Sequence, residues 1–269
     1  MMRTKKVLVI IMTVLVFLSA VLLGVSSVYR IDEVFVYANT VSEDAKAEAE
    51  ELRERLLSVY QKQSTLFADG AEAQAVVAEF PYFRLTAVEK GYPNRLIVRV
   101  SEDEEVFAVA CDETAQSYYI LGLNGVILGI RDNYNNRSDE TGNAKNLLIQ
   151  GVYATGEKGQ MIAGDERLAC TLAFCQKVSN LLNGIRRNIV SVTVSGASSQ
   201  QTVTLKLVTY EGVNIYIRNP SLATEQKAEI AVNAYLSMSD ADRTKGMLTV
   251  FDGDEGIQTA YFDKDLLTA

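Results

Sequence analysis

The stretch AEFPYFRLTAVEKGYPNRLIVRV, residues 78–100, determines how the first half of the chain folds. It reads as the end of a helix, a strand, a turn at residues 92–95 and a second strand. The second strand carries Leu96, Val98 and Val100, which alternate with polar residues and so lie on one face. The stretch therefore predicts a β-hairpin with one buried face.

The residues before the hairpin predict one strand and two helices. IDEVFVY at 31–37 is rich in β-branched and aromatic residues and predicts a strand. Ser42 fits a helix N-cap, and Asp69 with Glu72 resembles a capping box for a second helix that Pro81 ends. The first helix has an apolar face formed by Ala45, Ala49, Leu52, Leu56 and Val59. The order strand, helix, helix, strand, strand favours a small sheet with two helices on one face.

The N-terminal stretch predicts a transmembrane helix over residues 7–28, because this segment has no charged residue and is long enough to cross a hydrocarbon core. Three basic residues precede it: Arg3, Lys5 and Lys6. The positive-inside rule then predicts a cytoplasmic tail over 1–6 and an extracytoplasmic part over 30–269. The alternative is a cleaved signal peptide, but the apolar run is longer than such a segment and no A-x-A site follows it.

The composition argues against several classes of function. The formal charge is −8, from 34 acidic and 26 basic residues, and nucleic acid requires a basic face. The absence of histidine excludes Ser-His-Asp and Cys-His catalysis. GVYATGE at 151–157 has glycines spaced as in a phosphate loop, but Glu157 would repel phosphate. The three cysteines, Cys111, Cys170 and Cys175, lack metal or disulfide spacing and are predicted to be small buried hydrophobic residues.

The second half predicts a mixed, β-rich domain with two helices. Strands are predicted at 106–111, 117–121, 126–130, 189–194, 202–208, 213–217, 247–251 and 257–262. Helices are predicted at 165–182 and from an Asn219-Pro220 start to 238. Asn124-Gly125 marks a hairpin, and the polar stretch 131–146 is predicted to be an exposed loop. DGDEG at 252–256 joins the last two strands as a solvated turn.

These segments together resemble a known family. IDEVFVYANTVSEDA, then LF, then EFPYFRLTAVEKGYPNRLIVRVSE are similar to the POTRA domain of the bacterial cell division family FtsQ/DivIB. YYILGLNGVIL resembles the next hairpin of that family, and KGMLTVFDGDEGIQTAYF resembles its closing strands. Two positions depart from the family pattern: EDEE at 102–105 replaces a Glu-Arg-x-Pro run, and Asn124 replaces a frequent aspartate.

The resemblance implies an α+β fold, with a POTRA domain (β-α-α-β-β) at 30–101 and an FtsQ/DivIB-like β domain at 102–269. It implies a non-catalytic, single-span membrane scaffold at the division septum that uses no cofactor, metal, nucleic acid or small-molecule substrate. The expected partners are FtsL-like and FtsB/DivIC-like proteins. A POTRA-containing protein of secretion or outer-membrane assembly, and an anchored cell-wall enzyme, are the alternatives.

The expected partner-binding residues fall into two groups, since POTRA domains and the last strand of FtsQ-like proteins dock extended segments along sheet edges. The first group lies at the tip of the hairpin: Tyr92, Pro93 and Arg95. The second group lies in the last strand: Ile257, Thr259, Tyr261 and Phe262. Alternation along that strand places either the tyrosine or the phenylalanine in the core.

Overall fold

The fold is that of a computed structural model, which describes residues 2–40, 42–134, 146–197, 203–244, 246–253 and 258–263. It is α+β and divides into two compact units, residues 1–102 and 103–269. The sequence-based domain boundary was placed between residues 101 and 102.

Unit 1 begins with helix α1, Met2–Val28. Within the described residues no helix is long and apolar enough to cross a membrane, which contradicts the transmembrane helix predicted over 7–28. Helix α1 includes residues 2–6, which the sequence analysis assigned to a cytoplasmic tail.

The rest of unit 1 has the predicted order of strand, helix, helix, strand, strand. Its elements are β1 (Glu33–Asn39), α2 (Glu43–Tyr60), α3 (Gly70–Val77), β2 (Phe83–Gly91) and β3 (Arg95–Glu102). The sheet order is β1-β3-β2, with β3 parallel to β1 and antiparallel to β2. The predicted caps are observed, since Ser42 accepts from the Ala45 amide at 3.1 Å and Asp69 from the Ala71 amide at 3.0 Å.

Unit 2 is built on a large mixed sheet. Its strands are β4 (Glu105–Ala110), β5 (Tyr118–Gly122), β6 (Ile127–Arg131), β7 (Leu147–Gln150), β8 (Ala154–Thr155), β9 (Ala163–Gly164), β10 (Ile189–Ser195), β11 (Thr204–Thr209), β12 (Asn214–Arg218), β13 (Met247–Asp252) and β14 (Gln258–Asp263). Its helices are α4 (Glu166–Leu181), α5 (Thr224–Ser237), α6 (Asp240–Arg243) and a 3₁₀ turn at Ile185–Arg187. Nine strands form one sheet in the order β14-β13-β12-β11-β10-β7-β4-β5-β6, and β8 pairs with β9.

The core of unit 2 lies between this sheet and the helices α4 and α5. Alternate sheet residues face the helices, for example Leu205 and Leu207 on β11 and Leu248 and Val250 on β13. Phe174 on α4 is fully buried in the same cluster. Because only one face of the sheet is buried, apolar and polar residues alternate along these strands, and this alternation is what predicted them from the sequence.

Several expectations about unit 2 are corrected. β7 was not predicted, nor were β8, β9 and α6. The helix predicted from Asn219-Pro220 begins only at Thr224, because both residues belong to a turn in which Asn219 has a φ of 48°. Most of the predicted 131–146 loop and residues 254–256 of the predicted turn lie outside the described residues. Of the cysteines, only Cys175 is buried, and Cys111 and Cys170 are partly exposed.

Gly151 follows β7 at a point where the backbone tolerates no side chain. Its φ is 82°, and an added Cβ would lie 2.1 Å from the carbonyl oxygen of Val194. We expect Gly151→Ala to lower the free energy of unfolding by at least about 1 kcal/mol, since the backbone would have to move. Urea unfolding followed by circular dichroism measures this.

Gly70→Ala is the matched control, because its Cβ would meet Val88 Cγ2 at an ordinary 3.7 Å. This variant should unfold at the urea concentration of the wild type or above it. Equal stability of Gly151→Ala and the wild type would contradict the close approach.

Candidate functional site

The strand β14 lies at one end of the nine-stranded sheet and, among the strands that the structure describes, pairs only with β13. We name residues Gln258–Asp263 the terminal edge. Their register against β13 is regular, from Asp252 opposite Gln258 to Met247 opposite Asp263, without a bulge. A regular edge strand presents backbone N–H and C=O groups to an incoming strand at every second residue. The terminal edge is therefore a template for adding another strand.

Side chains of the terminal edge alternate between the two faces of the sheet. Thr259 and Tyr261 are exposed, and Tyr261 retains 59% of its accessible surface. Ala260 and Phe262 are partly buried against the core. Gly246, with a φ of 115°, allows the ring of Phe262 to lie against its backbone, since an added Cβ would meet ring carbons at 2.8 Å. Phe262 is thus the core residue of the predicted pair, and Tyr261 is the outward one.

Tyr261 ends a row of side chains that crosses the open face of the sheet. The strand registers place Lys206, Tyr216, Thr249 and Tyr261 opposite one another on four consecutive strands. The ammonium of Lys206 lies 5.7 Å from the centre of the Tyr216 ring, within the range of a cation–π contact. This polar and aromatic row continues the surface on which Tyr261 stands.

A buried lysine fixes the start of the terminal edge. Lys227 on α5 is fully buried, and its ammonium lies 2.9 Å from Asp252 Oδ1 at the end of β13. It also donates to the carbonyl oxygens of Arg218 at 2.7 Å and Asn219 at 2.9 Å. Burying a charge is unfavourable unless it is paired and hydrogen-bonded. Through these three acceptors Lys227 therefore holds the ends of β12 and β13 against α5.

The predicted hairpin tip lies in unit 1, whereas the terminal edge belongs to unit 2. Tyr92 is 60% exposed, and its ring makes an edge contact with Tyr29 at 6.1 Å between centroids. Pro93 is exposed and follows a cis peptide bond. Arg95 pairs with Glu33 at 2.9 Å and lies over the Phe35 ring. Because β3 is the middle strand, the hairpin offers a free edge only along β2.

The β2 edge borders a groove that sequence reasoning missed. The groove has a volume of about 680 Å³ and lies between α3 and β2. Gln74 and Val77 line it from α3, and Leu85, Thr86 and Val88 line it from β2. The hairpin was visible in the sequence, but the order β1-β3-β2, which leaves β2 outermost, depends on parallel pairing of distant segments. The local pattern carries no signal for that pairing.

For three of the remaining predicted site residues the structure gives only the element to which they belong. Arg3, Lys5 and Lys6 lie on α1. Ile257 lies outside the described residues. In the part of the chain that the structure describes, no group of three or more Cys, Asp or Glu residues is arranged to hold a metal ion.

A scan against protein-family models finds no matching family, and a search of curated proteins finds no matching relative. The proposed binding mode therefore depends on the geometry of the chain's own residues.

The link between Lys227 and Asp252 makes part of the stability depend on pH. Burial alone would raise the pKa of Asp252, but the hydrogen bond and charge of Lys227 outweigh it and hold the pKa below the ordinary value of 3.8. A carboxyl whose pKa is lowered by folding contributes stability above its unfolded pKa and loses that contribution as the pH falls through its folded pKa. We expect the wild type to lose more stability than Asp252→Asn between about pH 6 and about pH 3.

Urea unfolding at a series of pH values measures the difference. Asp240→Asn, which removes an exposed carboxyl on α6, is the matched control and should follow the wild-type pH dependence. Parallel pH profiles for the wild type and Asp252→Asn would refute the proposed contribution.

Proposed function

We propose that this protein is a non-catalytic docking scaffold that binds extended segments of partner proteins by strand addition at the terminal edge. The observation that carries the proposal is the regular, one-sided pairing of β14, with Thr259 and Tyr261 exposed along it. Strand addition derives affinity from main-chain hydrogen bonds and selectivity from alternate side chains. No reacting group is needed for this activity.

The two faces of the terminal edge set the chemistry of the partner segment. An added strand places alternate side chains beside Ala260 and Phe262, where they extend the half-buried inner layer. Its other side chains lie beside Thr259 and Tyr261 on the open face. The fitting segment therefore alternates apolar residues with polar or aromatic ones.

The resemblance to FtsQ/DivIB proteins supplies the candidate partners. We propose that the scaffold binds FtsL-like and FtsB/DivIC-like proteins and organises septal wall synthesis at the division site. The β2 edge, with its groove, offers a second place for an extended segment. Two weak contacts made by one partner complex act together, because the first raises the effective concentration for the second.

A proline in the terminal edge tests the proposal. Proline lacks a backbone N–H and interferes with strand addition. We expect Thr259→Pro to lose capture of FtsL-like and FtsB/DivIC-like segments by at least about tenfold, the effect of roughly 1.4 kcal/mol. Co-purification and titration of the full-length chain with each purified segment measure this.

Thr259→Val is the matched control, because it changes the side chain at the same position and keeps the backbone donor. It should retain capture, as should Tyr92→Ser at the hairpin tip. Tyr261→Glu serves as a second edge variant, since it leaves the backbone intact and places a charge on the edge. Full capture by folded Thr259→Pro and Tyr261→Glu would exclude the terminal edge, and no capture by the wild type would exclude the scaffold function.

A further inference from the structure

The strand β6 lies at the end of the nine-stranded sheet opposite to β14, and among the strands that the structure describes it pairs with β5. An edge strand exposes backbone N–H and C=O groups that can pair with another chain. The β6 edge would therefore be a second template for strand addition, unless another part of the chain covers it.

A hairpin of the same chain covers the start of β6. Its two strands, β8 and β9, pair antiparallel and are joined by residues 156–162, which we name the edge cap. The amide of Ile127 donates to the Gln160 carbonyl oxygen at 2.9 Å, and the amide of Gly159 donates to the Ile127 carbonyl oxygen at 2.8 Å. Both backbone groups of Ile127 are thus bonded to the edge cap, as they would be to an added strand.

The edge cap is fitted closely to β6 at both of its ends. At one end, the amide of Ile162 donates to the Gly125 carbonyl oxygen at 3.0 Å, just before β6 begins. At the other end, Gly156 lies against Ile127, since an added Cβ would be 2.6 Å from Ile127 Cδ1. A side chain at position 156 would therefore push the edge cap away from the strand.

The rest of β6 is protected by other means. Its pairing with β5 is interrupted by a register shift between Ile120 and Leu121. Its last residue, Arg131, turns inward: 8% of its side chain is exposed, and it pairs with the buried Glu105 at 2.5 Å. Bulges and inward-pointing charges are usual means of blocking an edge. Because β14 pairs with its neighbour without a register shift, the two ends of the sheet differ in how open they are.

We propose that the edge cap is an autoinhibitory contact, which occupies β6 in place of a partner segment and so leaves the large sheet with one docking end, β14. A cap tethered to the strand that it covers competes at a high effective concentration, so a free segment displaces it poorly. The inference rests on the proposed docking function only in naming β14 as the open end. The closure of β6 stands on the contacts of the edge cap alone.

A fluorescein-labelled synthetic peptide with the chain's own residues 153–164 tests whether β6 accepts a strand once the edge cap is released. Gly159→Pro releases the cap, because proline lacks the N–H that bonds to Ile127 and cannot adopt the φ of 86° at this position. Both this variant and the reference protein are full-length and carry Thr259→Pro, so that the terminal edge does not contribute. We expect anisotropy titrations to show at least about tenfold tighter binding of the peptide to the variant with the released cap.

Gly156→Ala, in the same Thr259→Pro background, releases the edge cap by steric repulsion and should also bind the peptide more tightly. Met161→Gln is the matched control, because it changes an exposed side chain of the edge cap and keeps every backbone donor. It should bind the peptide as the reference protein does. Faster hydrogen exchange of the Ile127 amide shows that the cap has been released, and circular dichroism like that of the reference protein shows that a variant is folded.

Equal peptide binding by the reference protein and by a folded variant with a released cap would overturn the proposal. So would an unchanged rate of hydrogen exchange at Ile127 in both glycine variants, since the cap would then not protect the strand. Failure to bind FtsL-like or FtsB/DivIC-like segments would count against the proposed function and not against the edge cap, because the peptide is taken from the chain itself.

Discussion

The large sheet depends on β7, a strand of four residues that pairs in parallel with β10 on one side and with β4 on the other. Along the order of the sheet it is the strand that joins β4, β5 and β6 to the five strands β10 to β14. Ile149 lies opposite Val109 on one neighbour and Val192 on the other, and all three are buried. Because β7 covers the inner sides of β4 and β10, the edges of the sheet become β6 and β14. The position of the terminal edge is therefore a consequence of pairing at the centre.

The Lys227 ammonium explains why α5 starts late. Asparagine followed by proline is a common helix start, but the carbonyl oxygens of Arg218 and Asn219 are both acceptors for Lys227. A helix beginning at Pro220 would redirect these carbonyls along its axis. Three acceptors for one buried cation outweigh the local preference, so the chain makes a turn first, with Ala223 at a φ of 51° before the helix. The same contact ties Asp252 to α5 and so orients β14.

The sequence patterns predicted correctly those features that depend on interactions between residues close together in the chain. The two helix caps, the hairpin of β2 and β3, and the alternating strands β10 to β14 follow from nearby residues and from burial on one face. β7 was missed because LLIQ is short and its neighbours pair in parallel, through segments far away in the sequence. Alternation predicted that one of Tyr261 and Phe262 faces the core, and the structure shows that it is Phe262. The groove beside β2 could not be predicted, because it depends on the order of three strands.

The two candidate docking edges, β2 in unit 1 and β14 in unit 2, differ in how well they are protected against strand addition. β2 carries three charged residues, Arg84, Glu89 and Lys90, and its pairing with β3 is interrupted by a register shift between Leu85 and Ala87. Charges and bulges are the usual means of blocking an edge. β14 carries one charged residue, Asp263, and pairs without a shift. An edge left this open would favour aggregation unless a partner covered it, so β14 is the stronger candidate for the main docking edge and β2 for a weaker one.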